Sequence, residues 1–477
     1  MNQSNADART WRPRVADGPA PYYQRIADAL QEDIRRGALD IGARLPTQRK
    51  LADALDISVG TATSAYIEAE RRGLVRRHVG RGTFVASPGT RTAASGGRIN
   101  LAVNQPPFHA AAALIRGLFA QLIEDADTAD LLGYPLFNDN GRYLRAVADW
   151  LGRSGRFAAL DAAAILPCQG ATQGLLATLE LLLRPDDVLL CEAITYAGFK
   201  VAARQLGVRL EPVALDAEGM LPDALDEAAQ RSGARVVVLC PSLQNPTGAV
   251  ASKPRRQALV RVAQKRRLWI VEDDVYGGLL EQPATTPPLA SLAPDITFHV
   301  GSASKIIAPG LRAGWIVTPR AQRDALAQVL QRRTAAAAPF GCPMMTAGAT
   351  PFGFLAFAKL CETRRADEIA TLIRSEAERR LDCARRVLGP HMQAPGGRRS
   401  LHVWLPLDAM RAEALQQALS LQEIHLTPPG APMVAAPPSG LRLCLGGPEN
   451  LQALDEALHV IAGELARGDA GIERWHP

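Results

Sequence analysis

Lysine is scarce in this chain of 477 residues: of fifty-four Lys and Arg, only six are lysine, at positions 50, 200, 253, 265, 305 and 359. Arginine therefore supplies charge wherever charge alone is wanted, and a lysine kept in a turn-rich stretch points to amine chemistry. The seven cysteines (168, 191, 240, 342, 361, 383 and 444) are scattered and never spaced C-x-x-C. That argues against a disulfide framework and a zinc site, and for a reducing, cytoplasmic setting. No uninterrupted apolar run reaches the ~18 residues of a membrane span, and residues 1–20 lack the apolar core of a signal peptide. Neither a membrane nor a metal belongs among the expected partners. What the chain does have is a hydrophobic content of 47% against 21% charged, the balance of a packed globular protein. Its length suggests two or three domains.

Charge is unevenly distributed. Residues 1–97 hold fifteen Arg/Lys and ten Asp/Glu, +5 of the net +6, and the remaining 380 are nearly neutral. A polyanionic partner for the N-terminal fifth follows, with a solvated basic face as the alternative. After a start at 1–20 expected to be flexible, helical periodicity runs from Tyr22 to Arg36 and stops at Gly37. Pro46-Thr47 opens a second helix through Leu55, and Ser58 can cap a third that ends near Arg72. Leu74 to Val85 then reads as two short strands around a Gly-containing turn. Three helices and a hairpin make a winged helix-turn-helix over 21–86. Residues 87–97, SPGTRTAASGG, read as a short linker.

From 98 to 477 the pattern changes. Apolar runs such as Val188-Leu189-Leu190, Val236 to Cys240, Leu268 to Val271, Phe298 to Val300 and Trp315 to Val317 alternate with helical stretches. Unbroken apolar strands between helices predict an α/β body with a mostly parallel central sheet covered on both faces.

Five segments of this body carry chemistry. In Ser302-Ala303-Ser304-Lys305…Gly310-Leu311-Arg312, an amine sits beside two hydroxyls and a guanidinium. A partly deprotonated amine attacks an aldehyde, whereas guanidinium does not, so the stretch suits a Schiff base to an aldehyde cofactor with an attached phosphate. Gly170-Ala171-Thr172-Gln173 opens a helix whose free N–H groups can hold phosphate, although small residues also open helices for packing. Tyr196 follows a strand, as a ligand contact or a core tyrosine. Gln244-Asn245-Pro246-Thr247-Gly248 places an amide in a strand-end turn, for a phenolate oxygen or for structure alone. Glu272-Asp273-Asp274-Val275-Tyr276 brings a carboxylate suited to a protonated pyridine nitrogen. Paired acids can also hold Mg²⁺, but no Walker-type phosphate loop accompanies them.

In order and spacing, these five segments resemble the fold-type I aminotransferases that use pyridoxal 5′-phosphate (PLP). The resemblance implies that Lys305 forms the Schiff base, Asp273 pairs with the pyridine nitrogen, Asn245 and Tyr276 bond the ring oxygen, and Tyr196 stacks on the ring. Ala171, Thr172, Ser302, Ser304 and Arg312 would bind the phosphate. Tyr134, in Gly133-Tyr134-Pro135, matches a tyrosine that reaches the partner subunit's phosphate, so a homodimer is implied. Arg442, in Leu441-Arg442-Leu443, matches the arginine that grips a substrate α-carboxylate.

Leu45 to Val85 resembles the GntR reader head. Joined to an aminotransferase-like body, it resembles the MocR/GabR-like transcription regulators over nearly the whole chain. The resemblance implies duplex promoter DNA as a partner, with Arg49 and Thr61 on its backbone and the wing around Arg81-Gly82 in the minor groove. Ser58, Thr63 and Arg77 join this candidate surface, and five Arg with no acid lie between Arg71 and Arg81. A winged helix used for protein contacts is the alternative. The third helix opens on Val59-Gly60 and offers Thr61, Thr63 and Ser64 but no Arg. That argues against bidentate reading of guanine from it and leaves specificity to hydroxyls, the wing or DNA shape. Arg398 and Arg399 are candidates for an acidic effector, with solvated surface arginines as the plainer reading. The expected function is regulation through PLP and an amino-acid-like effector at Lys305, or through PLP alone. The alternative is a working aminotransferase with a vestigial head.

Overall fold

A computed structural model of the chain describes residues 11–18, 20–39, 43–72, 74–78, 82–85, 99–125, 140–158, 160–280, 286–337, 351–435, 437 and 440–473. It contains two compact units, Met1–Gly97 and Arg98–Pro477.

In the first unit, α1 (Tyr22–Arg35), α2 (Gln48–Leu55) and α3 (Val59–Arg71) precede the antiparallel strands β1 (Val75–His78) and β2 (Gly82–Val85). The helix starts follow their caps. Thr47 accepts from the Lys50 N–H at 3.4 Å and Ser58 from the Thr61 N–H at 3.1 Å, satisfying first-turn donors that have no partner inside the helix. Asp56 ends α2 in the left-handed region (φ 52°), which turns the chain sharply into α3. Ile26 and Leu30 of α1, Leu51 of α2, and Ala62, Ala65 and Tyr66 of α3 form one core. The Tyr66 hydroxyl reaches the Pro46 carbonyl at 2.8 Å, so its polar end is satisfied within that core. Packing begins ahead of Tyr22: Trp11 and Val15 lie against this core, and the Trp11 indole donates to Asp33 at 3.0 Å.

The second unit is built on a seven-stranded sheet of β3 (Ile165–Gln169), β4 (Val188–Glu192), β5 (Arg209–Val213), β6 (Val236–Leu239), β7 (Trp269–Asp273), β8 (Thr297–Ser302) and β9 (Ala313–Val317). The order is β3-β9-β8-β7-β6-β4-β5. All pairs are parallel except those of β9, which runs antiparallel to β8 and β3. Every residue of β6, β8 and β9 is buried, which is why β6 and β9 read as continuous apolar runs, while β8 also buries the polar Thr297, His299 and Ser302. β3 and β5 extend the sheet beyond the runs singled out in the sequence; β5 (RLEPV) is half-exposed at the sheet edge and lacks the uniform apolar signal. A smaller antiparallel pair, β10 (His402–Pro406) and β11 (Gly440–Cys444), packs with the helices Arg365–Leu388 and Leu451–Glu473 around a separate core. Because β4, β6, β7 and β8 are parallel, the loops after them emerge together at one edge of the sheet, where open α/β sheets bind ligands.

Candidate functional site

Each segment singled out in the sequence arrives at that edge by a strand end. β7 finishes on Asp273, β8 on Ser302 followed by a short turn of 3₁₀ helix, Ala303–Lys305, and β6 leads into the loop that carries Asn245. β3 leads through Gly170 into the helix α4 (Ala171–Leu182), and β4 leads to Tyr196. Gly170 has φ +76°, and a Cβ there would lie 3.2 Å from Arg312 Cζ; only glycine lets the helix start meet that guanidinium so closely. Arg312, itself left-handed (φ 52°), donates from Nη2 to the Gln169 carbonyl at 2.7 Å. Gly170 gives α4 no capping side chain, so the first-turn amides of Ala171 and Thr172 have no side-chain acceptor among the described residues. Ser302 Oγ accepts from the Ser304 N–H at 3.1 Å and lies 2.8 Å from Ser304 Oγ. Burial raises the Tyr196 phenol above its ordinary range, and the nearby Thr172 side chain works against that rise. Positive guanidinium, free amides and hydroxyls thus converge at one helix start, the arrangement that suits a phosphate.

The reactive end is buried. Lys305 Nζ donates to the Asn104 carbonyl, and burial lowers the amine below its ordinary range, with Arg442 and Arg312 adding to the effect and Cys444 and Asp273 opposing it. Asp273 is 4% exposed, and burial pushes its carboxyl up to about 7. Its one hydrogen bond is a long one, 3.4 Å from the Val275 N–H, and no cationic group lies within ion-pair distance of it among the described residues. Its neighbour Asp274 is the opposite case: Arg156 at 2.7 Å, His299 at 3.0 Å and Ser242 at 2.6 Å satisfy it fully and hold it far below the carboxylate range despite burial. Glu272 likewise has Arg256 and the N–H groups of Leu289 and Ala290. Of three successive acids, only Asp273 is left without a counter-charge. A protonated heterocyclic nitrogen would supply one.

Around this pair the Tyr276 hydroxyl receives Asn104 Nδ2 at 2.9 Å and Asn245 Nδ2 at 3.4 Å. Arg442 donates to Asn245 Oδ1, the Ala102 carbonyl and Thr427 Oγ1, each at 2.8 Å, while its buried Nε has no partner. Tyr196, Asn245 and Arg442 line a cavity of about 70 Å³ together with Trp404 and several prolines. The residues fit PLP: a buried amine of lowered basicity, a carboxylate lacking a cation and a phosphate cradle lie together.

Two members of this network carried no signal of their own. Asn104 comes from the segment after Ile99–Asn100, and its buried Oδ1 has no partner. His402 opens β10. Its Nε2 faces the Gln244 carbonyl at 2.9 Å and so carries the proton, while Nδ1 accepts from Asn104 Nδ2 at 2.9 Å. Burial lowers His402 to about 3, which keeps this neutral tautomer in place. Arg398 and Arg399, candidates for an acidic effector, instead pair with Glu378. Tyr134 lies outside the described residues, and among those described no metal-ligating cluster is found.

In the head, Arg49, Ser58 and Ser64 are exposed, and Thr61 and Thr63 are half-buried. Ser58 Oγ lies 2.9 Å from Thr61 Oγ1, and the Thr63 hydroxyl donates to the Val59 carbonyl at 2.8 Å. Thr63 therefore presents lone pairs outward but no free proton. Arg77 pairs with Thr83 through the β1–β2 ladder, and Gly82 opens β2 at φ +114°. Arg81 and the Arg77 side chain lie outside the described residues. No helix among the described residues is long and apolar enough to cross a membrane.

Residues 97–461 match the family described as aminotransferase class I and II, and residues 22–85 match the bacterial regulatory proteins of the gntR family. The chain is 29% identical over 331 residues to the uncharacterized HTH-type transcriptional regulator YdeF of Bacillus subtilis, covering 67% of this chain and 70% of that protein. It is 30% identical over 300 residues to a 2-aminoadipate transaminase of Thermus thermophilus, covering 61% of this chain and 71% of the other. Among solved structures, the Pyrococcus horikoshii kynurenine aminotransferase superposes with a TM-score of 0.68 at 22% identity, over 78% of this chain and 92% of that one. That likeness shows the fold. The chain belongs to the class I and II aminotransferase family and carries a GntR-family head at its N-terminus, the composite architecture of the MocR/GabR-like regulators.

Proposed function

We propose that this protein is a PLP-dependent, DNA-binding transcription regulator whose body responds to an amino-acid-like effector at Lys305. The observation that carries the reading is the lone uncompensated acid, Asp273, buried beside an amine of lowered basicity in a chain that also bears a reader head. Bound there, PLP supplies an aldehyde for an amine and an electron-accepting ring. Lys305 presents the amine, and its burial favours the uncharged form that reacts. Asp273 holds a proton on the ring nitrogen, Asn245 and Tyr276 orient the ring oxygen, and Tyr196 covers the ring face. Ala171, Thr172, Ser302, Ser304 and Arg312 bind the phosphate, and Arg442 receives the effector carboxylate.

The head, over 21–86, binds promoter DNA through Arg49, Ser58, Thr61, Thr63, Arg77, Arg81 and Gly82. The linker at 87–97 passes the state of the body to it, in a cytoplasmic homodimer to which Tyr134 contributes across the interface. The effector acts only through its differential affinity for two arrangements of the protein. In the Lys305→Ala variant the cofactor absorbance and the effector response are lost while DNA binding persists. A full response in that variant, read by DNA mobility shift with candidate amino acids, rejects the reading.

A second reading, a working aminotransferase, is favoured by the presence of Arg442 and by the 30% identity to the Thermus 2-aminoadipate transaminase. Multiple turnover of an amino-acid/keto-acid pair by the purified protein decides for it.

A further inference from the structure

Behind the Asp273–Tyr276 loop lies a second cavity, of about 190 Å³, that the reading above does not use. Trp150, Leu151, Ile306 and Trp315 form apolar walls. The polar lining includes Arg156, His299 and Arg374, and the carboxylates Asp274 and Asp367. Three atoms of these lining residues are fully buried and have no hydrogen-bond partner: Arg156 Nε, Trp315 Nε1 and His299 Nδ1. Arg156, Trp315 and His299 are 3%, 2% and 1% exposed, so bulk water does not satisfy them.

The arginines of this cavity differ in how they are neutralised. Arg156 has Asp274 at 2.7 Å, and Gly277 is pressed flat on that pair, where a Cβ would stand 2.6 Å from Arg156 Cζ. Arg153, at the rim, has Asp367 at 3.3 Å. Arg374 has only the Gly278 carbonyl, 2.9 Å from its Nε, and no carboxylate within ion-pair distance among the described residues. Burial disfavours its charge and Arg399 adds to that, while Asp367, which also lines the cavity, opposes it from beyond ion-pair distance. A half-buried guanidinium with no carboxylate in ion-pair distance among the described residues, set between hydrocarbon walls, describes a ligand with a carboxylate head and a short apolar body.

We propose that this cavity is a second ligand site, which binds a small organic carboxylate through Arg374 with its hydrocarbon part between Trp150, Leu151 and Ile306. The site adjoins the first through the chain itself: Asp274 follows Asp273, Ile306 follows Lys305, and a Cβ on Gly278 would lie 2.3 Å from Ile306 Cδ1. Occupancy is therefore sensed by the two segments that carry the amine and the acid.

The test is calorimetric titration of the full chain, with and without PLP, using butyrate, benzoate and inorganic phosphate. It is run in an Arg442→Gln background so that the first site does not contribute, which keeps this result separate from the fate of the PLP reading. Saturable binding of butyrate or benzoate is expected, weakened about tenfold or more by Arg374→Gln and partly restored by Arg374→Lys. Thr371→Trp, at the exposed rim, should weaken binding with Arg374 intact. The proposal is overturned if neither carboxylate binds saturably, if phosphate binds the PLP-loaded protein more tightly than both, or if Arg374→Gln binds as the parent does.

Discussion

The head and the body place their functional groups on opposite principles. In the body, Lys305 and Asp273 are withdrawn from water, so desolvation alters their chemistry before any ligand arrives. In the head, Arg49, Ser58 and Ser64 stand in solvent with ordinary surroundings, and Thr61 and Thr63 are partly engaged by their own helix. One region concentrates binding energy in a few desolvated groups. The other spreads it over weak, screened contacts. Substitutions in the body should thus act almost as switches, and those in the head as adjustments.

The sharpest break would come at Asp273. Asp273→Ala removes the only acid of its trio that lacks a counter-charge, and PLP affinity, followed by absorbance on dialysis, should fall by roughly a hundredfold or more. Next is Arg442→Gln, expected to weaken the effector by about tenfold to a hundredfold while leaving the cofactor spectrum unchanged. Loss of the spectrum instead would mean that Arg442 serves mainly to brace Asn245.

A third, smaller effect is set by pH. His402 stays neutral in the fold down to about 3, whereas the unfolded chain takes up a proton near the ordinary histidine value of 6.5. Protons below that value therefore favour the unfolded state, and stability is lost as pH falls from 6.5 toward 3, at about 1.4 kcal/mol per pH unit. Asp273 slopes the other way in the cofactor-free protein: raised to about 7 from 3.8, it costs stability as pH rises through that window. His402→Gln and Asp273→Asn should each remove one slope from the melting curves, and unchanged slopes would show that these groups are not desolvated as described. In the head, Ser58→Ala should cost about 1 kcal/mol through the lost α3 cap. Arg49→Ala should weaken DNA binding only a few-fold and shallow its salt dependence by about one unit.

What could be read from the sequence divides along the same line. β6 and β9 were legible because burial on both faces demands unbroken apolar residues, and Lys305, Asp273 and Asn245 because each follows the end of a buried strand. Ser58 was legible because capping is local, within three residues. Asn104 and His402 were not. Asn104 meets Tyr276 across 172 residues of chain and His402 across 298, and no local spacing records a contact of that kind. Nor does composition show that Arg374 has no carboxylate in ion-pair distance among the described residues when Arg153 and Arg156 have theirs; that depends on which carboxylates the fold brings near.

The bond from Arg442 to Asn245 has its own bearing on ligand choice. The guanidinium already holds an internal acceptor at 2.8 Å, so a newcomer competes with the protein's own amide for the same N–H. Its apparent affinity measures an exchange. Molecules able to re-employ the released amide, as well as the guanidinium, should outrank those that occupy the arginine alone.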